Sequence, residues 1–202
     1  MTNSFKLLAI RPLKDCNKKF LKNLHKGTIY KFYNEYTFKD SNGNEIIESL
    51  EDVSSVTHTS KVPADFYQIE NNGKTINVNI SALVGKNGSG KSTLLELLYA
   101  TCFRIASIKR VLEGDEHGLL RIIFEPFDAV KQRESDNKLN EIRRLISSIN
   151  VEIFYSINEN IYCTNISKEY GIIHKLIEGK DENFSNWLSI PPHGRLFKTY
   201  IQ

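Results

Sequence analysis

Residues 82–99 read Ala-Leu-Val-Gly-Lys-Asn-Gly-Ser-Gly-Lys-Ser-Thr-Leu-Leu-Glu-Leu-Leu-Tyr, and three patterns meet in them. Upstream, Ile76, Val78 and Ile80 alternate and then become the continuous apolar triplet Ala82-Leu83-Val84. That change predicts a strand that enters from a half-wet edge and ends in a buried sheet. Downstream the apolar period becomes helical: Leu94, Leu95, Leu97, Leu98, Cys102, Ile105, Ile108 and Val111 predict a helix with a broad apolar face, closed by Gly114. Between them, Gly85 to Thr93 satisfy the spacing G-x-x-x-x-G-K-[ST], with Gly85, Gly90, Lys91 and Ser92 as fixed points.

Each residue type in that turn has a chemical reason. Glycines open backbone angles closed to other residues and let amide N–H groups face a phosphate. The helix that follows adds its own unpaired N–H groups and the positive end of its dipole. Lys91 is a mobile cation able to reach the β- and γ-phosphates, and the Ser92 hydroxyl is a ligand for Mg²⁺. The expected nucleotide-binding set is therefore Gly85, Lys86, Asn87, Gly88, Ser89, Gly90, Lys91, Ser92 and Thr93, with Ser92 on the metal. By composition a chance match in a chain of this length is roughly a one-per-cent event, and the strand-before, helix-after context narrows it further.

Three classes of nucleotide-binding protein compete. A GTPase needs DxxG and NKxD motifs. Asp115-Glu116-His117-Gly118 follows helix rather than strand, and Asn137-Lys138-Leu139-Asn140 ends in Asn where a guanine-reading Asp belongs. A small-molecule kinase usually begins almost at its phosphate loop, whereas here 84 β-rich residues come first. An ATPase with its loop behind an N-terminal antiparallel subdomain fits this order.

The stretch from Ala82 to Tyr99, with Asn87 and Thr93 matching as well, resembles the loop of ABC-type P-loop ATPases. The strand Lys6 to Leu13 and the insertion-rich layout resemble the SMC/RecF-like branch. Phe5 to Tyr36 and the loop region are similar to bacterial ATPases of phage-defence and retron-associated systems. The resemblance covers about residues 5–100. It implies ATP and Mg²⁺ as cofactors, a homodimer, and a DNA or nuclease partner. The family's later motifs (an apolar strand ending in Asp-Glu, an LSGGQ-like signature, a switch histidine) are not found. The nearest approach, Leu119 to Glu125, lacks the Asp and ends 34 residues past Lys91. The expectation is thus the N-terminal half of an ABC-type head, completed by a second copy or a complementing C-terminal half, with no catalytic residue assigned and negligible hydrolysis by the isolated chain. A non-enzymatic nucleotide-sensing or interaction protein that keeps only the loop is the alternative. By the resemblance, Tyr67, beside Phe66, stands where an adenine-stacking aromatic is placed, although aromatics in strands also serve the core. Gln132 as a water-sensing glutamine and Glu125 as an acid are weaker candidates.

The rest of the chain frames this region. Phe5 to Leu13, Ile29 to Phe38, Val151 to Ile157, Ile161 to Ile166 and Gly171 to Ile177 predict strands, and residues 129–149 a helix. Asn42-Gly43, Asn72-Gly73 and Asn158-Glu159-Asn160 predict hairpins. The fold class expected is α/β of the P-loop NTPase type in a single domain. It comprises a mixed sheet, an N-terminal β subdomain over 1–84, the loop and its helix over 85–115, and helical and hairpin additions over 116–202.

With 40% apolar and 25% charged residues, the 202-residue chain is globular rather than disordered or fibrous. It has no apolar run of the ~20 residues that span a bilayer and no secretory leader, so a soluble, cytoplasmic protein without a membrane partner is expected. Cys16, Cys102 and Cys163 lack metal or disulfide spacing and read as reduced thiols, with Cys102 and Cys163 packed. Residues 1–40 carry nine Lys/Arg against three Asp/Glu. Lys14, Lys18, Lys19, Lys22 and Lys26, interleaved with Phe20, Leu21 and Leu24, fit either a nucleic-acid contact or the wet side of a short amphipathic helix.

Overall fold

The first strand, β1 (Phe5–Pro12), is apolar almost throughout because both of its faces are covered. The computed structural model describes residues 5–60, 62–63, 66–71, 73–78, 80–108, 141, 144–158, 160–167 and 171–180. After β1 come α1 (Lys18–Leu21), β2 (Tyr30–Lys31), β3 (Tyr36–Lys39), β4 (Ser55–His58), β5 (Gln68–Asn71) and β6 (Lys74–Asn77). The long helix α2 (Lys91–Ile108) follows, then β7 (Val151–Ile157), β8 (Asn160–Ser167) and β9 (Gly171–Glu178).

Five of these strands form one sheet in the order β2-β1-β7-β8-β9, and β3–β4 and β5–β6 are separate two-stranded ribbons. A bulge between Leu7 and Ala9 disturbs the β1–β7 register. It puts the neighbours Leu8 and Ala9 in the same packed layer, while Leu7 and Ile10 belong to the other. One face of the sheet packs Ile10, Val151, Ile153 and Tyr155 against Leu21 and Leu24 near α1 and Leu94 and Leu97 of α2. The other face packs Leu8, Phe154 and Ile161 under Phe38 and Val56 of the β3–β4 ribbon, with the Phe38 and Phe154 rings edge to face at 4.9 Å.

One buried ion pair crosses β1 and β7, where Arg11 and Glu152 are directly opposite in register. Arg11, 1% exposed, donates through Nε to Glu152 Oε2 at 2.7 Å and also through Nη2, and through Nη1 to the carbonyls of Glu51 (2.8 Å) and Ser49 (3.1 Å). The pair thereby ties the sheet to the 49–51 segment. The turn at 40–44 is closed by Asp40, whose Oδ1 accepts from the amides of Asn42 and Asn44 at 2.8 and 2.9 Å, with Gly43 at φ 83°. Asn158, at φ 48°, makes the β7–β8 turn.

The structure bears out a chain of mixed helix and strand character, and it corrects the expected mixed sheet: every strand pairing described is antiparallel. It also corrects the expected strand over Ala82-Leu83-Val84. Residues 80–86 join no ladder, and Val84 is 89% exposed. Apolar character makes a strand only where a neighbour offers its N–H and C=O groups, and none lies beside this segment among the described residues. Leu83 alone packs against the α2-side core, and the Ser81 hydroxyl donates to the Phe32 carbonyl at 2.7 Å. The N-terminal β region is not a separate layer, since β1 lies between β2 and β7. Gly114, Leu119 to Glu125, Gln132 and everything beyond residue 180 lie outside the described residues. Among those described, no helix is long and apolar enough to cross a membrane.

Candidate functional site

The turn from residue 85 to the first residues of α2 is built by its glycines. Gly88 (φ 81°) and Gly90 (φ 89°) occupy the left-handed region, where a side chain would be strained. At Gly85 a Cβ would lie 2.6 Å from the Ser89 hydroxyl oxygen, which would have to turn aside. The Ser89 amide donates to the Lys86 carbonyl at 3.2 Å, and the Leu94 amide to the Gly90 carbonyl at 2.8 Å begins the helical bonding. Among the described residues no acceptor meets the amides of Gly88, Gly90, Lys91, Ser92 or Thr93. Several of these are the orphan donors of a helix start.

Lys91 bends back over this turn. Its ammonium donates to the carbonyls of Gly85 (2.6 Å) and Lys86 (2.8 Å), which hold it across the mouth of the loop. An ammonium has three protons, so one donor remains. Ser92 is exposed and Thr93 buried, so of the two adjacent hydroxyl residues only Ser92 is open to solvent. Gly85 to Ser89 are exposed, whereas Gly90 is buried beneath residues 23 and 24. Open amides, a tethered cation and an exposed hydroxyl make a cradle for an anion with several oxygens. Side chains at Gly88 and Gly90 would be strained by the positive φ there, and the glycines suit a backbone that approaches a phosphate chain closely. Ser92 would supply the hydroxyl for a metal bridging its oxygens. No group of three metal-ligating side chains occurs among the described residues, so a metal here would depend on the phosphates for most of its ligands.

Two neighbours of the loop escaped the sequence reading. The Asn23 carboxamide donates from Nδ2 to the Gly88 carbonyl at 2.8 Å, and a Cβ on Gly90 would lie 3.1 Å from Leu24 Cδ2. The apolar spacing of Leu21 and Leu24 hinted at a buried side to this segment, but no signal pointed to Asn23. The basic residues around α1 take the solvated reading in part. Leu21 is buried, while Lys19 pairs with Glu141 at 3.3 Å and Lys22 with Glu96 of α2.

Helix α2 buries a different stripe from the one expected. Leu94, Leu97, Thr101 and Arg104 are buried, whereas Leu95 and Cys102 are exposed. Thr101 enters the core because its hydroxyl donates to the Leu97 carbonyl at 2.6 Å. Arg104 enters because its guanidinium donates to the carbonyls of Ser147 (2.9 Å), Ile149 and Ser167 (2.6 Å). Burial pulls its pKa down to about 10, so it stays charged at neutral pH. The cysteine expectation changes with the stripe: Cys16 and Cys163 are packed and Cys102 is not.

Tyr67 stands at the base of the β5–β6 ribbon, 45% exposed and edge-on to Phe66 at 4.9 Å, and its carbonyl accepts from the Val78 amide. No hydrogen bond or ring contact brings it to residues 85–93 among the described residues. Compared with known proteins, the chain matches no family model, no curated protein and no solved structure.

Proposed function

We propose that residues 85–93 hold the phosphate tail of ATP with its Mg²⁺, and that the chain is the ATP-binding part of an ABC-type, SMC/RecF-like ATPase. The observation that carries this reading is the Lys91 ammonium tethered to the Gly85 and Lys86 carbonyls across a turn in which the amides of Gly88 and residues 90–93 meet no acceptor among the described residues. In the reading, the amides of Gly88 and residues 90–93 and the Lys91 ammonium bind phosphate oxygens, and the Ser92 hydroxyl would be a ligand for the metal. ATP over GTP rests on the family resemblance, as do the homodimer or complementing half and a DNA or nuclease partner in defence. No carboxylate pair has been assigned to orient water, so hydrolysis by the chain alone is negligible.

Calorimetric titration with MgATP tests this. Saturable binding is expected, weakened at least tenfold by Lys91→Ala, which removes a charge-assisted contact worth ~1.5–3 kcal/mol. Failure of the unaltered protein to take up MgATP saturably overturns the reading.

A further inference from the structure

We infer that Asn23 is a positioning residue for the 85–93 loop, acting through the peptide between Gly88 and Ser89; the inference rests on the phosphate-binding reading. That peptide is pinned at both ends. Its carbonyl, on Gly88, accepts from Asn23 Nδ2 at 2.8 Å, and its amide, on Ser89, donates to the Lys86 carbonyl at 3.2 Å. Gly88 has no side chain, and nothing lies within 4 Å of where a Cβ would be, so side-chain packing does not hold its peptide in place. Only its hydrogen bonds fix it, and one of the two comes from outside the loop.

The next residue completes the support. Leu24 is buried and lies against Gly90, so the two left-handed glycines of the loop are touched by consecutive residues, 23 and 24. The chain reaches them through a strained joint. Lys22 has φ 44° and ψ −100°, outside the regions a non-glycine residue favours. That conformation is held by the Lys22 amide on the Lys18 carbonyl (3.1 Å) and the Leu24 amide on the Leu21 carbonyl (2.6 Å). Such strain persists where the surroundings over-determine it. Here it aims the 23–24 pair at the loop.

The consequence is preorganisation. If the 88–89 peptide reorients, the amides that follow no longer converge, and apparent affinity falls by the fraction of molecules still correctly arranged. Losing one neutral hydrogen bond from that balance corresponds to about a three- to tenfold rise in Kd. Asn23 is exposed and outside the core, so its removal leaves the fold intact.

The experiment titrates MgATP into the unaltered chain, Asn23→Ala and Asn23→Asp, and follows amide hydrogen exchange in the nucleotide-free proteins. Asn23→Ala is expected to bind about three- to tenfold more weakly. Asn23→Asp, which sets an acceptor against the Gly88 carbonyl and a negative charge beside the phosphates, is expected to bind more weakly still. Exchange at Ser89 and Gly90 quickens in both variants while the β7 and β8 amides keep wild-type protection. Wild-type affinity in Asn23→Ala, or unchanged exchange at Ser89, overturns the inference. A general loss of protection across the sheet also overturns it, because Asn23 would then serve the fold. Absence of MgATP binding by the unaltered chain defeats the phosphate-binding reading instead, and the exchange measurement then still decides whether Asn23 pins the peptide.

Discussion

Replacing Arg104 with Met tests the joint between the helix that carries the loop and the sheet beneath it. Arg104 is 4% exposed and has no carboxylate partner among the described residues; its partners are carbonyls at the end of one helical turn and at the end of β8. Deleting the guanidinium removes its hydrogen bonds to the carbonyls of Ile146, Ser147, Ile149 and Ser167, at ~1–3 kcal/mol for each carbonyl left dry. It also removes a desolvated cation, which gives back several kcal/mol. The balance is a net loss of ~2–4 kcal/mol, a large share of the ~5–15 kcal/mol by which domains of this kind are stable. With a urea dependence near ~2 kcal/mol per molar, the midpoint should fall by ~1–2 M at an unchanged slope. Arg104→Lys keeps the charge but loses the fork and should fall between.

The pH dependence has a fixed sign. The folded pKa, pulled down to about 10 by burial, lies below that of the unfolded chain, so the unfolded chain binds this proton more tightly. The charge's penalty is then complete below pH 10 and eases only above it. The Met variant's deficit should therefore be flat from about pH 6 to pH 9. A Met variant as stable as the parent, or more so, would show that the carbonyl clamp returns no more than its desolvation takes.

Three further outcomes are expected. Glu152→Ala leaves Arg11 buried with two carbonyl partners and should cost ~3–5 kcal/mol in urea unfolding. The double change Arg11→Met/Glu152→Leu should cost less than that single one, and simple additivity would deny the pair its coupling. Gly90→Ala combines a φ of 89° with a Cβ 3.1 Å from Leu24, whereas Gly43→Ala meets nothing at a φ of 83°. Both carry the backbone penalty of ~1–2 kcal/mol, but only Gly90→Ala should exceed it in thermal denaturation, and equal losses would mean Leu24 simply moves aside. Native-state thiol labelling should modify Cys102 and spare Cys16 and Cys163. Burial raises the Cys102 pKa above 9.0, so its labelling rate should still be climbing at pH 9, and a plateau below that would contradict it.

The strands were legible where periodicity and turn chemistry agreed. β1, β7, β8 and β9 fall where apolar runs are bounded by Pro12, by Asn158 and by Gly171, because those residues stop or reverse a strand whatever its partners. The partners themselves were not legible: that β1 lies beside β7, some 140 residues away, follows from two strands covered on both faces, and no local signal encodes their register. On α2 the spacing located the helix and misjudged its buried stripe. The pattern counted Leu95 and Cys102 as apolar and Thr101 and Arg104 as polar, yet Thr101 bonds its own helix and Arg104 donates to the carbonyls of Ile146, Ser147, Ile149 and Ser167. Burial follows satisfied hydrogen bonds as well as apolarity. The glycine-rich turn was legible because its residue types are set by backbone geometry. Asn23 was not, because one long-range hydrogen bond leaves no periodic trace.

The exposed run 80–86 bears on how the site is held. In a loop fed by a buried strand, the sheet would fix the first glycine and the helix the last. Here the incoming side is anchored by the Ser81 bond to Phe32 and by Leu83 alone, with Val84 in solvent. The order of the loop must then come from its outgoing side: Leu94 and Leu97 in the core, Arg104 locking the far end of α2, and Asn23 and Leu24 bracing the glycines from the segment after α1. A second anchor follows from this. Lys91 reaches back to Gly85 and Lys86, so the cation ties the loose side of the turn to the firm side while it waits for an anion. Its two carbonyl bonds are thus structural, and in the proposed reading an anion that draws the ammonium away must replace them with its own oxygens. In that reading, binding strength is the difference between those two sets of bonds, and a multiply charged phosphate chain should bind far better than a singly charged carboxylate.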